Sequence, residues 1–248
     1  MLVALLLGAM FSPAATAEAP DVVVMIHGAG GGGWEYDRWR PVFERAGWKV
    51  IANDLKPGRN GLAATRFADY AAQARQWTQI PHRRLVLVGA SLGGILALSV
   101  AARAQPDALI LVNSVAPRGV GKRPRGRRAP AIVRWAGGPI AETRAALPDG
   151  DEETVRWAHA RWRDESGAVL NEVRAGVRVG RPAAPALVVI GAADTDVPPE
   201  TGLALARWAR ADVHLYARTS HIGPLFGRRA AEIAGAAVRW LEARRQPR

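Results

Sequence analysis

Residues 84–100, RLVLVGASLGGILALSV, constrain this chain more than any other stretch. An apolar, β-branched run meets Gly89-Ala90-Ser91-Leu92-Gly93 and continues as an apolar, Ala-rich segment. The pattern reads as a strand, a turn too tight for ordinary side chains, and a helix: the G-x-S-x-G elbow. A Cβ at Gly89 or Gly93 would run into the neighbouring element, and Ser91 must take up strained backbone angles. Such a turn pushes the Ser91 hydroxyl out at the carboxyl edge of a sheet and the N-terminus of a helix. Unpaired N–H groups and the helix dipole there favour a developing negative charge. A serine hydroxyl alone is a poor nucleophile, so the pattern calls for a base and an orienting acid elsewhere in the chain.

Around this elbow the sequence alternates strands and helices. Residues 21–26, DVVVMI, form an apolar strand that runs into His27-Gly28-Ala29-Gly30-Gly31-Gly32-Gly33-Trp34. A helix over 40–46, closed by Gly47, leads to a strand over 48–53 and a turn over 54–58. Residues 65–78 are amphipathic, with Phe67, Tyr70, Ala71, Ala74 and Trp77 on one face at helical spacing, a stripe that suits the core. Further strands are expected over 108–112, 186–190 and 212–217, with helices around 200–209 and 228–245. The closing helix should bury Ile233, Ala237, Trp240 and Leu241. This rhythm predicts a mostly parallel, doubly wound α/β sheet with sites at its carboxyl edge.

Residues from about 115 to 185 break the rhythm. They open on a Pro/Gly/Arg tract, offer helical pieces around 131–135, 140–146 and 152–177, and contain no strand-like run. The expected arrangement is a single domain over 18–248, with this segment inserted as a small helical cap over the active-site edge. Its tryptophans Trp135, Trp157 and Trp162 either line a substrate pocket or pack the cap onto the sheet. Lys122, Arg123, Arg125, Arg127 and Arg128 form the densest charge run, either a solvated loop or a means of steering an anionic substrate.

Composition narrows the class. The 248 residues are 49% hydrophobic and 23% charged, ordinary globular material with no cysteine for a disulfide, a zinc–thiolate site or a thiol nucleophile. The formal charge of +12 comes almost wholly from arginine, since Lys49, Lys56 and Lys122 are the only lysines. It leaves weak polyanion binding by the basic surface as an expectation, without a motif for specific nucleic-acid recognition. Residues 1–17 read as a secretory signal, with an apolar stretch over 2–11, Pro13, and Ala15-Thr16-Ala17 as the cleavage site. The mature protein would begin near Glu18 and be secreted or periplasmic, without stable membrane insertion. No Lys or Arg precedes the apolar stretch, so a retained anchor is the alternative.

The partners of Ser91 can be sought by order. His27 belongs to a strand-end loop, His82 to the turn before the elbow strand, His159 to the cap, and His214 to a strand. His221 alone follows the last strand, in a Gly/Pro loop. Asp194, followed by Val197-Pro198, ends the strand before it, and Asp196 lies two residues on as a rival acid. Ser91, Asp194, His221 is the Ser…Asp…His order of one known arrangement. The chain resembles the α/β-hydrolase superfamily from about residue 21 to its end. The resemblance rests on a strand-end His-Gly, G-x-S-x-G, G-x-x-D followed by V-P, and a final Ser-His, all in order. The His-Gly-Ala-x-x-Gly-Gly-Trp opening is similar to the compact branch containing plant methyl esterases and hydroxynitrile lyases.

That resemblance implies Ser91 as nucleophile, His221 as base and Asp194 as the acid orienting it. It also implies an oxyanion hole from the N–H groups of Ala29 and Leu92, and a substrate surface including Gly28, Gly30 and the cap tryptophans. The reaction implied is hydrolysis of a small-molecule carboxylic ester through an acyl-enzyme, with no cofactor and no metal. A basic extracellular binding protein on an inactive hydrolase fold is a further class, against which the intact triad argues, and two alternatives stay open. One is lyase chemistry on the same scaffold, for which Lys122 is the only cap lysine. The other is dinucleotide binding: Gly28, Gly30 and Gly33 satisfy G-x-G-x-x-G after a strand, and Asp54 follows at the distance of a ribose acid. Against the latter, Trp34-Glu35-Tyr36 and Pro41 follow, so the third glycine should lie outside the helix.

Overall fold

A computed structural model describes residues 18–122 and 127–244. The expected signal over 1–17 lies outside the described residues, as do Arg123 and Arg125 of the basic run and Arg245 of the closing helix. In chain order the elements are β1 (Asp21–Ile26), a 3-10 turn (Gly33–Tyr36), α1 (Arg40–Arg45) and β2 (Lys49–Ile51). A second 3-10 turn (Leu62–Ala64), α2 (Phe67–Trp77), β3 (Arg84–Ala90), α3 (Leu92–Ala104) and β4 (Ala108–Val112) follow. Next come β5 (Ile132–Val133), α4 (Ile140–Ala146), α5 (Glu152–His159), β6 (Glu165–Ser166) and α6 (Gly167–Ala175). The chain closes with β7 (Ala186–Gly191), α7 (Pro199–Ala209), β8 (Asp212–Tyr216), α8 (Gly223–Phe226) and α9 (Ala230–Glu242).

Six of the strands form one sheet in the order β2-β1-β3-β4-β7-β8, and every pairing in it is parallel. Parallel strands need crossovers, and the helices that supply them cover both faces, which is why the central strands read as continuous apolar runs. Alternation decides which core each residue joins. Val23 and Met25 of β1 pack with Trp39, Phe43, Ile233 and Ala237 on one face. Val22, Val24 and Ile26 pack with Tyr70, Ile95, Leu96 and Leu205 on the other. The stripe on α2 lies in that second core, with Tyr70 and Ala74 fully inside it. Each such aliphatic side chain contributes about 1.5–3 kcal/mol by leaving water.

The insertion departs from expectation in two places. Residues 131–135 are not helical: Ile132–Val133 pairs antiparallel with Glu165–Ser166. The β-branched Ile132 and Val133 suit that ribbon better than a helix turn. The helix expected over 152–177 is broken into α5 and α6 by this same ribbon. Each half has its own cap, with Asp151 accepting from Thr154 N–H at 2.7 Å and Ser166 from Val169 N–H. Gly167 closes the corner, since a Cβ there would lie 1.6 Å from the Pro130 carbonyl oxygen. Among the described residues no helix is long and apolar enough to cross a membrane.

Candidate active site

The elbow has the geometry its glycines demand. Ser91 sits at φ 50° and ψ −117°, between β3 and α3. Such angles cost an L-residue of order 1–3 kcal/mol and persist only where the surroundings hold them. They do so here: Ser91 N–H donates to Val112 at 3.0 Å, and the Ser91 carbonyl accepts from Val115 N–H. A Cβ on Gly89 would lie 2.3 Å from the Gly93 carbonyl oxygen, and one on Gly93 1.9 Å from that of Ile26. A further glycine, Gly94, leaves room for Ser114, whose Oγ would be 2.0 Å from an added Cβ.

At this edge the structure brings Ser91, His221 and Asp194 together. Ser91 Oγ is 2.9 Å from His221 Nε2, and Asp194 Oδ2 is 2.8 Å from His221 Nδ1. Asp194 is buried, and its other oxygen accepts from the N–H groups of Asp196 and Val197. Asp196 therefore serves Asp194 through its backbone, while its own side chain borders the cavity described below. Burial works against charge on His221, but the hydrogen bond and charge of Asp194 outweigh it, and the imidazole titrates above its ordinary value.

The loop carrying His221 is fastened from two sides by residues that no sequence motif singled out. Asn113, at the end of β4, donates from Nδ2 to the carbonyls of Ser220 and His221 and accepts from Gly191 N–H at 2.7 Å. Its φ of 41° is one that Asn tolerates better than most residues. Asp149 accepts from Ser220 N–H and Oγ–H. A polar residue closing an apolar parallel strand was the one signal for Asn113; Asp149 had none.

The glycine loop after β1 is held as tightly. His27 is buried and neutral, donating from Nδ1 to the Gly28 carbonyl and accepting from Leu55 N–H at Nε2, and burial brings it down to about 4. Glu35 accepts from Gly28 N–H at 2.9 Å, and Glu165 of β6 accepts from Gly30 N–H at 3.0 Å. Arg163 adds a backbone bond to the Gly30 carbonyl and side-chain bonds to the carbonyls of Gly31 and Leu55. Between the two carboxyl-bound amides lies Ala29, whose N–H has no protein acceptor among the described residues; the same holds for Leu92 N–H at the start of α3.

Gly33, expected outside a helix, opens a single 3-10 turn whose N–H is held by Asp54 at 2.8 Å. The first α-helix begins only at Arg40. The glycine loop thus meets no α-helix N-terminus, and Asp54 is already engaged by the loop and by Arg163 at 3.5 Å.

A cavity of about 510 Å³ opens over Ser91. Its walls include Gly28, Ala29, Ser91 and His221 from the sheet edge, with Trp135 and Trp162 from the insertion. Gly30 and Trp157 do not border it. Gly30 is tucked behind Trp135, against which a Cβ would lie 2.2 Å away. Trp157 packs with Trp162 and Phe226 around Trp34, the Trp34 ring centroid being 5.1 Å from both tryptophans. Leu92 is buried in the core and presents only its backbone. Lys122 lines an adjoining groove of about 690 Å³ and not the Ser91 cavity. Glu35, buried and bordering the cavity, is a group sequence reading passed over. Desolvation raises it to about 7, against the lowering effect of Gly28 N–H, His221 and Arg163.

The family model described as "Alpha/beta hydrolase family" matches residues 23–236. No curated protein sequence matches the chain significantly. Among solved structures, a pyrethroid hydrolase from Sphingobium faniae is 20% identical at a TM-score of 0.69, over 90% of this chain and 98% of that one. A methylesterase from Arabidopsis is 16% identical at 0.68, over 90% and 99%. Polyneuridine aldehyde esterase is 18% identical at 0.68, over 90% and 99%. At these identities the likeness is one of fold.

Proposed function

Because the chain belongs to the alpha/beta hydrolase family, we propose that it is a serine hydrolase cleaving carboxylic esters of small or medium size. The observation that carries this reading is the continuous run from Ser91 Oγ through both nitrogens of His221 to Asp194, at 2.9 and 2.8 Å. In this reaction His221 Nε2 takes the Ser91 proton as Oγ attacks the ester carbonyl carbon. The carbonyl oxygen becomes an oxyanion within reach of the Ala29 and Leu92 N–H groups, each such donor being worth about 2.7–4 kcal/mol of barrier. Collapse of the intermediate expels the alcohol, which leaves with the proton from His221. Water, deprotonated by the same imidazole, then releases the acid from Ser91. Asp194 holds the imidazole so that Nδ1 carries its hydrogen and Nε2 faces Ser91.

The partly apolar cavity, with Trp135 and Trp162 in its wall, supports a compact organic ester as substrate. The test is labelling with a fluorophosphonate alongside hydrolysis of short and medium acyl esters. Both should vanish together in a folded Ser91→Ala protein, and hydrolysis surviving in that variant would overturn the assignment. We also propose that residues 1–17 direct export, so that the working enzyme is secreted or periplasmic. N-terminal sequencing of protein recovered outside the cytoplasm should begin near Glu18.

A further inference from the structure

Glu35 carries an oxygen that the fold leaves without a partner. The residue is 2% exposed, Oε2 accepts from Gly28 N–H at 2.9 Å, and Oε1 accepts from no described residue. Oε1 lies against Gly31, where a Cβ would sit 1.7 Å away, so the glycine is what makes room for it. A Cβ on Gly28 would lie 3.4 Å from the Ser91 Cβ and 3.6 Å from both Glu35 oxygens. Glu35 and Ser91 thus flank the same glycine, and both border the same cavity.

An ionised carboxylate there would oppose the negative charge that develops when a serine attacks a carbonyl. A protonated one would help it. Since Oε2 is the acceptor for Gly28, the proton belongs on Oε1, the oxygen that no described donor engages. Glu35 borders the cavity, so an oxygen there that is free of protein partners is available to a bound ligand. We propose that Glu35 is a catalytic residue: protonated at Oε1, it donates a hydrogen bond to the ester oxygen that becomes charged, as a third donor beside Ala29 and Leu92. The inference rests on the serine-esterase reading above.

The groups facing Glu35 are the His221 imidazole, the Arg163 guanidinium, the Tyr36 hydroxyl on its own turn, and Glu165 across the glycine loop; His27 behind it is neutral. Tyr36 donates to the Ile26 carbonyl, and Glu165 is occupied by Gly30, Tyr70 and Ser166. Desolvation outweighs the Gly28 N–H and the charges of His221 and Arg163, and raises the carboxyl to about 7. His221 must be neutral and Glu35 protonated, so activity falls on the acid side as His221 takes up a proton and on the alkaline side as Glu35 loses one.

The experiment is the pH profile of kcat/KM for phenyl acetate hydrolysis, from about pH 5 to about pH 9.5, for wild type, Glu35→Gln, Glu35→Met and Ser91→Ala. Wild type should give a bell whose alkaline limb falls about 100-fold by pH 9, two units above the group concerned. Glu35→Gln keeps an acceptor for Gly28 and a donor toward the cavity, so its alkaline limb should disappear. Glu35→Met has no donor and should be at least about 10-fold slower than wild type near pH 6, again without the alkaline limb. A wild-type plateau through pH 9, or the same alkaline limb in either folded variant, overturns the role of Glu35. Hydrolysis by Ser91→Ala would instead overturn the serine reading itself.

Discussion

The side-chain amide of Asn113 reaches the backbone carbonyl of His221 at 2.7 Å across 108 positions of sequence. The same side chain also accepts from Gly191, at the end of the strand that leads to Asp194. One residue at the tip of β4 therefore ties the loop carrying His221 to the strand leading to Asp194. Asn113→Ala should leave two buried backbone groups and one half-buried one short of a partner, lowering stability by about 1–3 kcal/mol. It should also lower kcat more than it raises KM, because the imidazole and not the cavity wall is what loosens. Thermal unfolding and steady-state kinetics on one ester read both effects.

Asp194 and Asp196 separate cleanly by what their side chains touch. Asp194→Asn should reduce kcat/KM by about 10³–10⁴-fold, since an amide cannot hold the imidazole in the required tautomer. Asp196→Asn should stay within about 10-fold, because its part in holding Asp194 is played by backbone N–H. Equal losses in the two variants would return the acid role to both residues.

Gly93 and Gly47 make a paired test of two different reasons for glycine. An added Cβ at Gly93 meets the Ile26 carbonyl oxygen at 1.9 Å, so Gly93→Ala must push β1 and α3 apart and should prevent recovery of folded protein. At Gly47 an added Cβ meets nothing within 4 Å, and only its φ of 84° resists. Gly47→Ala should fold, with a loss of about 1–2 kcal/mol. Soluble yield and urea denaturation distinguish the two.

His27 and Glu35 pull stability in opposite directions over one pH interval. His27 is lowered from 6.5 to about 4, so its contribution is complete above pH 6.5 and is lost as pH falls toward 4. Glu35 is raised from 4.5 to about 7, so its contribution is complete below pH 4.5 and is lost as pH rises through 7. Removing the second should expose the first. Relative to wild type, Glu35→Gln should gain stability between pH 4.5 and 7, on the order of 3 kcal/mol in all. Urea titrations at matched pH values measure it; a constant difference would mean that Glu35 does not titrate with folding.

What was legible in the sequence follows from what is local. β1 and β4 have the bounds that their β-branched runs imply, and the elbow glycines stand where strand meets helix. His221 could be picked out because it alone followed the last strand. The insertion was harder, since its helices are interrupted by a ribbon of two residues a side, too short to leave a periodic signal. Ser166 was readable as a helix cap in hindsight, but it stood inside a stretch with continuous helical character. Glu35, Asp149 and Glu165 were out of reach for a different reason. A carboxylate that ends up buried or half-buried against backbone N–H groups looks like any surface carboxylate until its partner arrives from elsewhere, and for Glu165 that partner is 135 positions away.

The bonds from Arg163 and Glu165 to Gly30, Gly31 and Leu55 mean that the roof of the cavity is riveted to the floor beneath it. A lid joined only at its ends can be traded between relatives as a module. This one carries part of the support for the loop that holds Ala29, so transplanting it would dismantle the machinery below. Substrate scope in such a protein has to be retuned from within, by side chains on the inner wall such as Leu170 and Val173, with the rivets left in place.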